Sequence, residues 1–173
     1  GANAIRAEGA PFGTPVSAAL ASAVLSSDLD VQDGPNGLQL SGSATERAFA
    51  TAAARVGIDL AALRRVHPRL RLQERTEDAH FVVSLHDGLD GGRIACMKGA
   101  PEQVLPRCTR SPDGAPLDDR ARAEALARNG ALAAEGMRVL AIGWQPLPAG
   151  TSMPESGFTY LGLAGLRDPL RPG

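Results

Sequence analysis

Between Arg69 and Met97 three strand-forming runs follow one another at close spacing, and this stretch restricts the fold more than any other. Leu70 and Leu72 alternate with Arg69, Arg71 and Gln73. After a polar turn around Thr76-Glu77-Asp78 comes Phe81-Val82-Val83-Ser84-Leu85. After the glycine-rich turn from Asp87-Gly88 to Gly91-Gly92 comes Arg93-Ile94-Ala95-Cys96-Met97. Apolar and β-branched runs bounded by Gly, Asp and Thr read as strands joined by turns. Connections this short join antiparallel neighbours. The Phe81 run is therefore expected beside the run that ends at Lys98, in a sheet that helices cover.

The end of the third run carries the densest chemistry, Met97-Lys98-Gly99-Ala100-Pro101-Glu102. Pro101 suits a first helical position, because its φ is preset and its missing N–H would go unpaired there. Glu102 then faces the positive end of the helix dipole. Gly99 and Ala100 leave room for a ligand to approach the backbone, and Lys98 supplies a compact point charge. Such a turn suits a phosphate or an anionic ring edge. It equally suits an ordinary strand-to-helix connection with a solvated lysine.

The remaining segments read as helices with recognisable ends and two further strands. Residues 1–14 lack any period and read as a flexible lead-in. Thr14 caps a helix running from Pro15 to about Ser26, and Asp28 to Gly37 is a turn containing the breaker cluster Gly34-Pro35-Asn36-Gly37. A short extended piece, Leu38-Gln39-Leu40, follows. Ser43 and Glu46 have capping-box spacing at the start of a helix that reaches Val56. Asp59 caps a second helix, to Arg65, which completes a helical hairpin. Cys108 to Pro116 reads as a loop, and a long helix from Leu117 or Asp118 stops at Gly136. Met137 to Trp144 is a nearly continuous apolar strand containing Arg138, whose head either reaches the surface over a packed stem or faces a ligand. A last strand, Phe158 to Leu166, precedes a proline-containing linker over residues 167–173.

A chain of 173 residues fits one domain, and its formal net charge of -1 offers no basic field for nucleic acid or an anionic membrane. No apolar run is long enough to span a bilayer, so the chain taken alone is expected to be soluble. Cys96 and Cys108 lack metal-ligand spacing and read as reduced, packed thiols. His67, His80 and His86 form no binding pattern, with His80 and His86 expected at the surface. No metal site is expected.

Four stretches in chain order resemble the cytosolic nucleotide-binding (N) domain of P-type cation-transporting ATPases. Lys98-Gly99-Ala100-Pro101-Glu102 matches the KGAPE motif without a change. Gly136-Met137-Arg138-Val139-Leu140-Ala141 is similar to the G-[LM]-R-V-[LI]-A strand. The stretch from Gly42 to Phe49 resembles the helix reading G-[DE]-P-T-E-x-A-L, and Asp168-Pro169-Leu170-Arg171 resembles the DPPR hinge. KGAPE points to a type II-like pump and away from the heavy-metal branch, because Val66-His67-Pro68 lacks the surroundings of that branch's His-Pro motif.

The resemblance implies an α+β fold over residues 15–166, a twisted antiparallel β-sheet flanked by helical hairpins, with ATP lying against the sheet. It implies that Lys98, with Gly99 and Ala100, lines the adenine pocket and that Glu46 bonds near the adenine amino group. Arg138 would reach the phosphate or ribose side, with Leu140 on the same strand. Asp168 and Arg171 would form the hinge toward the phosphorylation domain, with residues 167–173 as linker. Partners would be ATP and the phosphorylation and actuator domains of the same parent chain, without nucleic acid or direct membrane contact. Mg2+ is expected in the intact pump, ligated mainly by another domain. The whole would be a cytoplasmic domain of an integral membrane protein, its transported ion chosen elsewhere.

One family element is altered. Where members carry F-x-S-x-R-K-x-M-S-V, this chain reads Leu70-Arg71-Leu72-Gln73-Glu74-Arg75-Thr76-Glu77-Asp78. Leu72 or Leu70 stands nearest the stacking phenylalanine, Arg75 matches the arginine, no lysine matches, and Glu77 and Asp78 bring negative charge. Phe81 replaces the missing ring if the strand register shifts. Loss of base stacking, worth roughly 1–3 kcal/mol, weakens ATP binding about tenfold or more. The DKTGT, TGES and GDGxxND motifs are absent, so the chain is expected to be a piece of a pump without catalytic residues or turnover of its own. A degenerate N domain, kept as a structural or interaction module, is the alternative. An unrelated transferase lacks a nucleophile-base pair.

Overall fold

The structure is a computed structural model that describes residues 13–168. The proposed lead-in, apart from its last two residues, and Arg171 of the hinge lie outside the described residues. Helix α1 spans Pro15–Leu25, with Pro15 in its first turn and Thr14 Oγ1 accepting from the Ser17 N–H at 3.1 Å. Strands β1 (Asp30–Gly34) and β2 (Gly37–Ser41) form a hairpin that reverses at Pro35-Asn36. The sequence reading placed a turn, Asp28 to Gly37, over the whole of β1. Asp30, Gln32 and Asp33 give that strand no apolar alternation, and it is held by backbone pairing and by Val31 and Leu40 packing as partners against the core.

Helices α2 (Ala44–Arg55) and α3 (Leu60–Val66) form the expected hairpin, with the Asp59 carboxylate capping α3 through the Ala62 N–H at 2.9 Å. Strands β3 (Arg69–Gln73), β4 (Phe81–Asp87) and β5 (Arg93–Gly99) are the meander. The short helix α4 (Pro101–Val104), strand β6 (Cys108–Arg110), helix α5 (Asp119–Ala134) and strands β7 (Arg138–Leu147) and β8 (Phe158–Leu166) complete the domain.

The six-stranded sheet has the order β3-β4-β5-β7-β8-β6 and is antiparallel except where β6 runs parallel to β8. Strand β6, read from sequence as loop, has only three residues and one buried side chain, Cys108, so it carries no periodic signal.

Strand parity divides the core in two. Ile94 and Cys96 of β5 and Ile142 of β7 face one way and pack with α1, α2 and α3. Ala95, Met97 and Ala141 face the other way and pack with Phe81, Val83, Phe158, Val104 and Ala125. The domain is thus helices, sheet, helices. Leu60, Leu63 and Val24 are fully enclosed in the first layer, each contributing about 1.5–3 kcal/mol of hydrophobic stabilisation. Both cysteines are free and buried, and burial pushes each thiol up to about 12.

His86 corrects the sequence reading, since it is only 1% exposed. Strand β4 continues to Asp87, which carries residue 86 under the helices. Its Nδ1–H donates to the His67 carbonyl at 3.1 Å, and its Nε2 accepts from the Ser84 hydroxyl at 2.7 Å. Burial lowers its pKa to about 4, which keeps the ring neutral.

Candidate functional site

The C-terminal end of α1, the N-terminal end of α2 and strands β3, β4, β5 and β7 enclose a cavity of about 510 Å3. Seven of the nine pocket residues proposed from sequence line it: Glu46, Leu72, Arg75, Lys98, Gly99, Arg138 and Leu140. Its apolar surface comes from Leu72, Val82 and Leu140, and among the described residues no aromatic side chain is in its wall.

Lys98 is neither solvated nor a free pocket charge. It lies opposite Val82 on β4 and Ile142 on β7, and it is 7% exposed. Its Nζ donates to the Ser26 carbonyl at 2.7 Å, the Ser27 hydroxyl at 2.9 Å and the Ala23 carbonyl at 3.1 Å, with the Ser26 hydroxyl at 3.3 Å. An ammonium has three donors, so these oxygens saturate it. Helix α1 has no basic residue in its last turn, and Lys98 supplies the cation that its negative end favours. Burial pulls the Lys98 pKa down to about 8 against the attraction of Glu46, which still leaves an ammonium at neutral pH.

Glu46 closes the other side of the same loop. Its two carboxylate oxygens accept from the Ser43 N–H and the Asp28 N–H, each at 2.9 Å, while Ser43 Oγ accepts from the Glu46 N–H at 3.2 Å. The expected capping box is complete, and the same side chain ties α2 to the residues after α1. Burial works to raise the Glu46 pKa, but the bonds from Ser43 and Asp28 outweigh it and hold the carboxyl below the usual range.

The two arginines differ in commitment. Arg138, at the start of β7, donates to Thr45 Oγ1 at 2.6 Å and stands 3.5 Å from Asp168 Oδ1, with about half its side chain exposed. The head lies at the cavity rim, bridging α2 to the segment after β8. Arg75 is exposed and makes no hydrogen bond or ion pair among the described residues. It is the uncommitted cation of the wall. Glu74 beside it lines the cavity, whereas Glu77 and Asp78, expected to bring the negative charge, do not.

Two proposed residues fall outside. Phe81 pairs with Gly99 and points to the opposite face of the sheet, where its ring packs in the second core under Arg107, 4.3 Å from centroid to guanidinium carbon. No register shift brings it round, since its neighbour Val82 already occupies the cavity face. Ala100 caps α4, donates its N–H to the His80 carbonyl at 2.9 Å, and is not in the wall. Gly99 is required for packing: a Cβ there would sit 2.4 Å from Phe81 Cβ.

The sequence reading missed Ser26, Asp28, Ser43, Thr45, Glu74 and Val82 as wall residues. Strand parity with Phe81 was the available signal for Val82. Ser26 and Asp28 had none, being brought to Lys98 from 72 and 70 residues away.

A sequence profile of the P-type ATPase cytoplasmic domain N matches residues 15–173. The chain belongs to that family. It is 30% identical over 149 residues to calcium-transporting ATPase 4, plasma membrane-type, of Arabidopsis thaliana, a match covering 83% of this chain and 14% of that protein. It is 34% identical over 139 residues to the cation-transporting ATPase pma1 of Synechocystis, covering 76% of this chain and 15% of that protein. Over a shorter stretch of 93 residues it is 38% identical to the putative calcium-transporting ATPase 7, plasma membrane-type, of Arabidopsis thaliana, covering 49% of this chain and 9% of that protein. The N domain thus spans about one seventh of the length of the first and second of these relatives. Among its described residues no helix is long and apolar enough to cross a membrane, and no group of three or more His, Cys, Asp or Glu side chains is placed to hold a metal ion.

Proposed function

We propose that this N domain binds ATP in the cavity beneath the α1–β1 loop and presents its γ-phosphate to an aspartate on a separate phosphorylation domain. The observation that carries this reading is the single cavity in which Leu72, Val82 and Leu140 offer an apolar wall while Arg75 and Arg138 supply cations. The base lies against the aliphatic wall, and Arg75, uncommitted within the protein, meets the polyphosphate. Lys98 and Glu46 act as positioning residues: they hold the end of α1 and the start of α2 in place around the nucleotide. Phosphoryl transfer depends mainly on placement and charge neutralisation, so a grip and a hinge are what such a domain contributes. Mg2+ would be held with the nucleotide phosphates and would take its protein ligands chiefly from the phosphorylation domain. In the intact pump the domain lies on the cytoplasmic side, next to the phosphorylation and actuator domains, and the Arg138–Asp168 contact sits where the chain leaves toward that hinge.

A 15N-labelled sample titrated with ATP tests the reading. Saturable amide shifts at Arg75, Lys98, Glu46 and Arg138 are expected, and no shift at millimolar ATP refutes it. The second reading, a degenerate N domain serving as an interaction module, draws on two observations: Lys98 and Glu46 are fully engaged within the protein, and the wall has no aromatic ring. Equal and negligible ATP binding by wild type and Arg75→Gln would select it.

A further inference from the structure

A second, smaller cavity of about 210 Å3 shares Asp28 with the first and is walled by Ser27, Arg64, His67, Arg69 and His86. It falls below the roughly 300–1,000 Å3 of pockets that take nucleotide-sized ligands. Two guanidinium groups converge on it. Arg64 Nη2 and Arg69 Nη1 both donate to one oxygen, the Ser27 carbonyl, at 3.4 Å each, longer than an ordinary N–H···O bond. Arg69 Nη2 adds a 3.3 Å contact to Asp28, whose side chain is 73% exposed. Each guanidinium carries five N–H donors, so most of these are unspent among the described residues.

The carboxylates nearby do not absorb them. Glu46 is committed to two backbone N–H groups, Asp30 bonds Gln32, and Asp28 makes only the long contact just given. Burial and the adjacent Arg69 charge work against the Arg64 cation, the charges of Asp30, Asp28 and Glu46 offset this only in part, and an anion between the two guanidinium groups would relieve the repulsion further.

His67 is the independent sign. It is 1% exposed, its Nδ1–H donates to the Asp87 carbonyl at 2.9 Å, and its Nε2 is buried without a partner among the described residues. Such an orphaned nitrogen asks for an unseen donor. His86 cannot serve, because both its ring nitrogens are engaged.

We infer that this cavity is a small-oxyanion site selective for hydrogenphosphate, held by Arg64 and Arg69, with the P–OH hydrogen accepted by His67 Nε2. Sulfate has the same shape but no hydrogen to offer at neutral pH, so it binds more weakly. The inference stands whether or not the larger cavity takes ATP.

The test is a titration of the 15N-labelled 173-residue chain with phosphate, sulfate and chloride at neutral pH and matched ionic strength. Phosphate should give saturable shifts at Ser27, Asp28, His67 and Arg69, sulfate should need several-fold more, and chloride should give none. Arg69→Gln and Arg64→Gln should each weaken phosphate about tenfold, the loss of one charged hydrogen-bonding partner, whereas Arg65→Gln on the exposed face of α3 should not. If Arg64→Gln loses the folded spectrum, Arg69→Gln on the edge strand decides. Equal binding of sulfate and phosphate overturns the His67 assignment, and no saturable shift with either overturns the site. ATP producing these same shifts below the phosphate midpoint assigns the cavity to a nucleotide tail and overturns a free oxyanion.

Discussion

Lys98 Nζ stands 2.7 Å from the carbonyl oxygen of Ser26, at the end of a helix that lies 72 residues earlier in the chain. The lysine of the KGAPE turn therefore works first as a clasp between strand β5 and helix α1. Replacing it by methionine keeps the volume and leaves the Ser26 carbonyl without its donor, while the Ala23 carbonyl keeps the Ser27 hydroxyl at 2.6 Å. Lys98→Met should lower stability by about 1–3 kcal/mol, read as a fall of several degrees in melting temperature by circular dichroism. An unchanged melting temperature would show that the clasp does not bear on the fold.

Arg75 should behave in the opposite way. It has no partner within the described residues, so Arg75→Gln should leave stability within about 0.5 kcal/mol of wild type. ATP affinity, measured calorimetrically, should drop about tenfold through loss of one charge-assisted contact. A matching loss of stability would place Arg75 in the framework instead.

Leu72 stands on the cavity wall of edge strand β3, only partly covered. Leu72→Phe should supply the ring that the wall lacks and tighten ATP about tenfold, since stacking on a base contributes about 1–3 kcal/mol. Weaker or unchanged binding would mean that the base does not lie on this wall.

His86 sets an acid limit on stability. Its pKa is about 4 in the folded chain against an ordinary 6.5, so between these values the unfolded chain binds the extra proton. Stability should accordingly fall as pH drops from 6.5 to 4, by up to about 3 kcal/mol. Urea midpoints that stay flat across this window would contradict the burial of a neutral His86.

Glu46 acts in a lower range. Its carboxylate is held below the usual value, so its contribution is present above the ordinary carboxyl pKa and is lost as pH falls through the folded value. Glu46→Ala removes both the capping-box bond and the tie to Asp28, and should cost about 1–2 kcal/mol at neutral pH. Chemical denaturation of the two proteins should converge in acid, because wild type has by then lost the same carboxylate.

Local chemistry was legible in the sequence because it acts over short spans. Thr14, Ser43 with Glu46, and Asp59 cap their helices through residues three positions apart, and each bond is present. The meander of β3, β4 and β5 follows from run spacing alone, and the placing of Leu72, Arg75, Lys98, Gly99 and Arg138 around one cavity follows from motif order. Strands β1 and β6 escaped notice because backbone pairing with a partner holds them, and their own side chains are too polar or too few to show a period.

What the sequence determined by itself, then, is most of the elements, their order and seven of the residues that line the cavity beside Lys98. Only the tertiary structure decided which of those residues remain available to a ligand. Lys98 is spent on α1, Glu46 on Asp28 and Ser43, and Phe81 on the far core, while Arg138 bonds Thr45 yet stays half exposed at the rim and Arg75 is uncommitted among the described residues. The physical reason is that the donors and acceptors at helix ends must be satisfied somewhere. A helix with no cation of its own near its C-terminus takes one from whatever strand the fold brings beside it, at a separation no local pattern records.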